Sequence, residues 1–112
     1  MSKDPAMSDR TWVDVCTVGD IEEEDVIRFD HQGKVYAIYR APGGEFFATD
    51  GLCTHELFPL AEGLVIDDII ECPKHNGRFN YRTGCAVRRP ACTDLRVYAV
   101  RVAGDRVQMA VG

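Results

Sequence analysis

The chain has 112 residues, which is enough for one domain with a modest hydrophobic core and too few for the catalytic domain of a large enzyme. Its formal net charge is -5, with 13 Lys and Arg against 18 Asp and Glu, so it is a poor match for nucleic acid or anionic lipid, which bind clustered cations. The aliphatic segments, such as residues 64–66, are much shorter than a membrane span. We therefore predict one domain over residues 1–112, with no membrane partner.

The N-terminal residues are polar and lack the apolar segment of a secretory signal. We therefore expect a cytoplasmic protein whose residues 1–10 form a flexible tail. The densest acidic segment follows later in the chain and consists of Asp20 and residues 22–25. A solvated loop and a docking patch for a basic partner are both compatible with this acidic segment.

Short apolar and aromatic segments follow one another along the rest of the chain. In order they are WVDVC, VIRF, KVYAIYR, EFFATD, LVI, IIEC, RFNY, LRVYAVRV and RVQMAV. Turn-forming residues separate several of them, at positions 31–33, 42–44, 67–68 and 104–105. This spacing predicts an all-β fold, with an antiparallel sandwich or barrel-like scaffold and no long helix.

Two short segments combine cysteine with histidine. They are Cys53-x-His55 and, after sixteen intervening residues, Cys72-x2-His75. Both are followed by Pro and Gly and lie between strand-like segments, so we expect two loops that project from the scaffold and face each other. A buried cysteine can act as a small apolar residue, but histidines paired with cysteines in such loops are not typical of a core. The four side chains therefore indicate a metal site.

Two kinds of metal site are compatible with these ligands. Structural zinc binds two Cys and two His in a tetrahedron, although the familiar zinc spacings place like ligands together on each arm. A two-iron cluster explains the mixed arms better, because each loop can send its thiolate to one iron and its imidazole to the other. The other cysteines, Cys16, Cys85 and Cys92, are interpreted as thiols of a reducing compartment. A redox pair or a second metal site at Cys85 and Cys92 is the alternative.

The double Cys/His pattern resembles the ligand motif of Rieske [2Fe-2S] proteins, and the resemblance extends over about residues 12–111. The segments ATDGLCTHE, GRFNYRTG and VYAVRVAGDRVQM resemble the small soluble Rieske ferredoxins of bacterial ring-hydroxylating oxygenases. This resemblance implies the Rieske fold with two cluster-binding loops at one tip. It also implies one [2Fe-2S] cluster, with Cys53, His55, Cys72 and His75 as its ligands.

The resemblance further implies a low reduction potential within the Rieske range of roughly -150 to +300 mV. High-potential respiratory Rieske proteins have Ser and Tyr hydroxyls after the second histidine and a disulfide between the two loops. The matching positions here are Gly77 and Phe79 for the hydroxyls, and Phe58 and Lys74 for the disulfide. The family often has Gly directly after the second histidine, where this chain has Asn76, a residue that tolerates a left-handed backbone.

A small Rieske domain is either an electron carrier or a fragment of an oxygenase. The oxygenase needs a second iron site with two His and a carboxylate, and this chain has three histidines, of which the cluster leaves His31 alone. A Gly-rich dinucleotide fingerprint is also absent from the sequence. The resemblance therefore implies a carrier rather than an enzyme, and we expect it to be a monomer. Its partners would be an NAD(P)H-dependent flavoprotein reductase and a terminal Rieske oxygenase, met in transient and partly electrostatic encounters.

Two alternatives remain open at this point. One is the small subunit of an assimilatory nitrite reductase, which resembles this fold but frequently lacks the cluster ligands. The other is a zinc-stapled interaction module. Within the first loop, the apolar residues Leu57, Phe58, Pro59 and Leu60 are compatible both with shielding of the cluster and with an apolar docking tip. His31 is expected to be exposed, and the aromatic residues of the strand-like segments are expected to be buried or half-buried: Trp12, Tyr36, Tyr39, Phe46, Phe47 and Tyr98.

Overall fold

The computed structural model describes residues 11–54, 57–74, 76–88 and 93–111. The expected tail at residues 1–10 and the two histidines of the Cys/His motif lie outside the described residues. Within those ranges, no helix is long and apolar enough to cross a membrane.

The described part of the chain contains eleven strands. They are β1 (Trp12–Thr17), β2 (Asp25–His31), β3 (Lys34–Arg40), β4 (Phe46–Asp50), β5 (Leu64–Ile66), β6 (Ile69–Glu71), β7 (Arg78–Asn80), β8 (Ala86–Arg88), β9 (Val97–Tyr98), β10 (Val100–Ala103) and β11 (Arg106–Ala110). They form three antiparallel sheets with the orders β1-β11-β10, β2-β3-β4-β9 and β5-β6-β7-β8. Two short 3₁₀ turns, Val18–Asp20 and Leu60–Glu62, complete the regular structure of these residues. The prediction of an all-β fold is confirmed.

The central sheet is organised by the hairpin of β2 and β3. The two strands pair without a break from Asp25 opposite Arg40 to His31 opposite Lys34. The turn between them places Gln32 and Gly33 at φ 50° and 79°, which is the left-handed geometry that a two-residue hairpin turn requires. This hairpin therefore fixes the register of the central sheet.

Strand β3 is buried on both faces and separates two hydrophobic cores. Its residues Tyr36 and Ile38 pack with the first sheet, in a core that includes Val107 of β11. The alternate residues Ala37 and Tyr39 face the third sheet and its loops. The central sheet consequently lies between the other two, and the predicted cluster loops belong to the second of the two cores.

Two segments differ from the prediction. The segment LRVYAVRV does not form one strand, because β9 pairs with β4 whereas β10 pairs with β11 in another sheet. Strand β8 was not predicted at all, since two of its three residues are exposed and leave no apolar pattern to detect.

The acidic segment lies where β2 begins and β3 ends. The backbone N–H of Glu24 donates to the carbonyl of Arg40 over 2.7 Å, and the Arg40 guanidinium donates to the carbonyl of Ile21 over 3.0 Å. Asp20 and the four carboxylate residues 22–25 are all exposed. This exposure agrees with the interpretation of the segment as a solvated loop.

Candidate metal centre

The two Cys/His segments form turns with the same backbone pattern. In loop A, residues 53–58, the N–H of Cys53 donates to the carbonyl of Phe58 over 2.8 Å. In loop B, residues 72–77, the N–H of Cys72 donates to the carbonyl of Gly77 over 2.8 Å. Each loop is thus a six-residue turn that begins at its cysteine and contains its histidine.

The fifth residue of each loop has a left-handed backbone. Leu57 has φ 53° in loop A, and Asn76 has φ 59° in loop B. Asparagine adopts this conformation more readily than other non-glycine residues, which confirms the expectation for Asn76. Leucine does so only at a cost, so the surrounding contacts must hold loop A in its shape.

Two glycines fix loop A in place. Gly51 donates to the carbonyl of Val35 and accepts from the N–H of Leu60, both over 2.9 Å, and a side chain at Gly51 would meet the backbone of Tyr36 at 2.7 Å. Gly63 follows loop A and lies against the residue before loop B, because a methyl group there would meet the carbonyl oxygen of Glu71 at 2.1 Å. The sequence does not identify these glycines as supports, since both look like ordinary loop residues.

The cysteines of both loops point into the protein. Cys53 and Cys72 are each 2% exposed, and both belong to the core that contains Leu60, Ile70 and Phe79. A buried thiolate is costly unless a positive charge compensates it, and a bound metal supplies that charge. Two buried thiols that open two matching turns therefore fit the thiolate half of a metal centre.

The two loops also contact each other. The ammonium nitrogen of Lys74 in loop B lies 5.7 Å from the ring centroid of Phe58 in loop A, within the range of a cation–π contact. These are the two positions that the resemblance aligned with a loop-joining disulfide. The prediction that the loops face each other is confirmed, and this chain joins them with a non-covalent contact at those positions.

The histidines lie between described residues of known exposure. His75 is flanked by Lys74 and Asn76, which are both exposed. The first described residue after His55 is Leu57, which is 70% exposed. His55 and His75 themselves lie outside the described residues. The structure therefore brings the two cysteines together in one core, and the complete ligand set of Cys53, His55, Cys72 and His75 remains a prediction.

The two positions that carry hydroxyls in high-potential Rieske proteins are occupied here by residues without a side-chain hydroxyl. Gly77 and Phe79 are both buried at the end of loop B. The hydroxyl of Tyr81 donates to the carbonyl of Asp67, at the end of β6 that is remote from loop B, and burial raises the pKa of Tyr81 to about 12. The Tyr39 hydroxyl is bonded to Thr49 over 2.8 Å. These two tyrosine hydroxyls are therefore committed to partners away from the loops.

The apolar residues 57–60, which begin in loop A and continue just beyond it, divide between two roles. Leu60 is fully buried, and Phe58 is half-buried against the same core. Leu57 is exposed and borders a cavity of about 310 Å³. The residues that line this cavity are Gly33, Lys34, Val35, Asp50, Gly51, Leu52, Thr54 and Leu57. Phe58 and Leu60 are thus placed to shield the metal site, whereas Leu57 is placed on the surface.

The other residues considered in the sequence are His31, the three remaining cysteines and the aromatic residues of the strands. His31 is only partly exposed because its ring stacks on Phe29 with centroids 5.9 Å apart. Cys85 is exposed, and Cys16 is half-buried, where burial and the Asp20 carboxylate raise the pKa of its thiol. Cys92 lies outside the described residues. The six aromatic residues expected to be buried or half-buried are so, and Tyr36 and Tyr39 are the most buried of them.

Sequence comparison identifies the class of protein that this arrangement represents. Residues 11–99 match the model of the Rieske [2Fe-2S] domain. The chain therefore belongs to the Rieske [2Fe-2S] family, whose cofactor is one [2Fe-2S] cluster.

Its relatives narrow the class further. The chain is 38% identical over 100 residues to the ferredoxin component of the naphthalene 1,2-dioxygenase/salicylate 5-hydroxylase systems of Ralstonia sp., covering 89% of this chain and 95% of the relative. It is 40% identical over 93 residues to the ferredoxin component of biphenyl 2,3-dioxygenase of Rhodococcus jostii, covering 83% and 86%. The solved complex of reduced oxygenase and oxidized ferredoxin in carbazole 1,9a-dioxygenase matches with a TM-score of 0.84 and 37% identity over 88% of this chain and 92% of that chain.

The nitrite reductase alternative is supported only at the level of the fold. A protein of Mycobacterium tuberculosis described as a putative NADH-dependent nitrite reductase small subunit matches with a TM-score of 0.80 but only 18% identity, over 92% of this chain and 96% of that chain. The ferredoxin components are about twice as similar in sequence to this chain, so they are the better guide to its function.

Proposed function

We propose that this protein is a one-electron carrier that accepts electrons from an NAD(P)H-dependent flavoprotein reductase and passes them to a terminal Rieske oxygenase. The observation that carries the proposal is the pair of matching turns, each opening on a buried cysteine and facing the other across the Phe58–Lys74 contact. Relatives at 38% and 40% identity are ferredoxin components of dioxygenase systems, which supports the same role.

We assign the two thiolates, Cys53 and Cys72, to one iron and the two imidazoles, His55 and His75, to the other. When bound, the [2Fe-2S] cluster supplies a redox centre that accepts and releases one electron. The buried cysteines hold the inner side of the site and exclude water from it. The histidines are adjacent in sequence to exposed residues, so the imidazoles offer the shorter path between the site and a partner.

The reduction potential should be low for a Rieske centre. Neutral imidazoles raise Rieske potentials above the roughly -400 mV of plant-type clusters, and hydrogen bonds to the sulfurs raise them further. Gly77 and Phe79 cannot donate such bonds from their side chains. We therefore expect a potential that is negative or near zero, and a value above about +150 mV would overturn this expectation.

The chain does not supply a second iron site of the oxygenase type. Such a site needs two histidines and a carboxylate, and beyond His55 and His75 the sequence contains only His31. The His31 ring is stacked on Phe29. The chemistry performed on the organic substrate consequently belongs to the partner oxygenase, and this chain acts as a carrier.

A carrier of this kind works through short encounters. We infer that residues 1–112 are a single domain, that the protein is a cytoplasmic monomer, and that it meets each partner through a small and partly electrostatic interface. A monomer leaves the same two loops accessible to both partners in turn.

The test is an anaerobic purification followed by a visible absorption spectrum before and after dithionite. A red-brown protein that bleaches on reduction, with two iron atoms per chain, is the expected result. A colourless protein with one zinc per chain would retire the carrier and favour the zinc-stapled module. Reduction by NADH and a flavoprotein reductase, followed by transfer to an oxygenase, then tests the direction of electron flow.

A further inference from the structure

The negative charge of this chain is concentrated at one end of the molecule. Hydrogen bonds connect carboxylates from three segments of the chain there. Glu24 accepts from the N–H of Asp67 over 2.8 Å, and the Arg82 guanidinium binds both Asp68 and Glu45. This group, the acidic end, comprises seven carboxylates, namely Glu22, Glu23, Glu24, Asp25, Glu45, Asp67 and Asp68. Only two guanidinium groups, Arg40 and Arg82, lie among the contacts that define it, which leaves five negative charges there.

Residues 22–25 of the acidic end are remote from loops A and B, whereas Asp68 lies about 13 Å from Cys72 because only the three-residue strand β6 separates them. Asp25 pairs with Arg40 at one end of the β2–β3 hairpin, while Lys34 at the other end lines the cavity beside loop A. Strand β3 has seven residues, so its length separates the two ends by about 20 Å. The acidic segment therefore cannot form the surface through which an electron leaves the loops.

Cations surround the loops instead. Lys34 lies beside loop A and Lys74 is part of loop B. Arg78 follows loop B directly and faces Arg88 across the strand pair β7–β8, while the carbonyl of Arg96 accepts from the N–H of Asp50 just before loop A.

Four carboxylates offset these five cations within the described residues, and one of them is Glu62, whose neighbour Gly63 lies against Glu71. Asp50 pairs with Lys34 over 3.3 Å, Glu71 pairs with Arg78 over 2.7 Å, and Asp94 accepts from the N–H of Ala86. Lys74, Arg88 and Arg96 form no ion pair with any described residue. The described residues of the loop end therefore carry a net charge of +1, whereas those of the acidic end carry a net charge of -5.

We propose that the partner of this protein presents a docking site with carboxylates around an apolar recess, complementary to the cations of the loop end and to the exposed side chain of Leu57. The proposal rests on the proposed function as an electron carrier. Charge complementarity supports it, because Leu57 is 70% exposed and lines the same cavity as Lys34, while Lys74 contacts the neighbouring residue Phe58. A partner with a basic docking site would instead attract the acidic end and turn the loops away from itself.

Screening makes the local charge more important than the net charge. At 0.1 M ionic strength the screening length is about 10 Å, so charges about 20 Å away act only weakly at the loops. An approaching partner then experiences mainly the loop-end cations. This is why the sign of the local charge can be measured with a small ionic probe.

The first experiment measures the oxidation of the dithionite-reduced holoprotein by stopped flow. The oxidants are ferricyanide, with charge 3-, and tris(phenanthroline)cobalt(III), with charge 3+; each removes one electron from one reduced chain. Between 0.1 and 1 M ionic strength we expect the ferricyanide rate to fall and the cobalt rate to rise. If the ferricyanide rate instead rises and the cobalt rate falls, the net charge of the chain governs the encounter, and the proposal is wrong.

Charge-reversal variants locate the effect. Lys74→Glu should slow ferricyanide oxidation roughly five-fold at 0.1 M ionic strength, because it changes the charge by two units at about one screening length from the site. Glu22→Lys is the matched control at the acidic end, where it changes the charge by the same amount and should alter the rate very little. Equal and opposite effects of the two variants would contradict the proposal. If Lys74→Glu does not retain the cluster, Arg88→Glu replaces it.

The same variants then test the partner. With the reductase that reduces the wild-type protein, Lys74→Glu or Arg88→Glu should lower the second-order rate constant and weaken its salt dependence, while Glu22→Lys should not. Faster transfer in the loop-end variants would show a basic docking site and refute the proposal. A preparation without a cluster gives no oxidation trace at all, so failure of the proposed function is distinct from failure of this inference.

Discussion

Replacing Gly63 by alanine should disturb the metal centre without touching a ligand. The new methyl group would lie 2.1 Å from the carbonyl oxygen of Glu71, where ordinary contact begins at 3.4 Å, so the two backbones must separate by about 1.3 Å. Glu71 directly precedes Cys72, whereas Gly63 follows the segment that returns from loop A. Overpacking of this kind typically costs about 1–3 kcal/mol, a large part of the ~5–15 kcal/mol that stabilises a whole domain.

The displacement should also affect cluster binding. Functional ligand sets need positions within about 0.5 Å of the productive geometry, and the shift expected in the Gly63→Ala variant exceeds that tolerance. We expect less iron per chain and lower visible absorption after reconstitution, together with a lower urea midpoint.

Gly19→Ala is the matched control for this prediction. It makes the same chemical change at a position where nothing lies within 4 Å, and the backbone of Gly19 is not left-handed. Both variants lower the conformational entropy of the unfolded chain alike, so the difference between them isolates the contact with Glu71. If Gly63→Ala matches Gly19→Ala in iron content and urea midpoint, the spacing of the loops does not depend on Gly63.

Three further predictions concern the ligands, the core and the surface. His55→Cys replaces a neutral imidazole by a thiolate, so it should shift the reduction potential toward the roughly -400 mV of all-cysteine clusters or prevent assembly; an unchanged potential would refute the assignment of His55. Burial raises the pKa of Tyr81 to about 12, above the ordinary value of 10.0, so its contribution is complete below pH 10 and is lost as the pH rises toward 12. The free energy of unfolding should therefore fall between pH 10 and pH 12, and Tyr81→Phe should remove about 2 kcal/mol of that fall; an identical fall in the variant would contradict this cause. Leu57→Ser should leave the melting temperature within about 2 °C of wild type, because the side chain is 70% exposed, yet slow electron transfer from the reductase; a large loss of stability would show that Leu57 packs in the core.

The sequence predicts the site better than it predicts the arrangement of the sheets. The Cys/His pattern and its Pro and Gly neighbours are local, so two loops that face each other follow from a short stretch of sequence. The partition of the strands into three sheets depends on distant pairings, such as β1 with β11. Ala99 alone separates β9, which pairs with β4, from β10, which pairs with β11, and no turn residue marks that change.

Burial within an apolar segment was equally hard to predict. In KVYAIYR every central residue is buried, so the sequence shows no alternation that assigns Tyr36 and Tyr39 to different cores. Leu57 of loop A and Leu60, two residues after that loop, have the same side chain, but Leu57 is exposed and Leu60 is fully buried. The difference arises from the left-handed backbone at Leu57 and from the hydrogen bond between Leu60 and Gly51, neither of which composition reveals.

The two arms of the motif differ in spacing but not in backbone shape. Cys53-x-His55 and Cys72-x2-His75 suggest loops of different length, yet both close as six-residue turns with a left-handed fifth residue. The histidine is therefore the third residue of one turn and the fourth of the other. The two cysteines begin these turns at equivalent, buried positions, whereas the histidines occupy unequal positions in the sequence of the two turns. The equivalence of the two buried cysteines supports the proposal that both thiolates would bind one iron, which leaves the two imidazoles for the other.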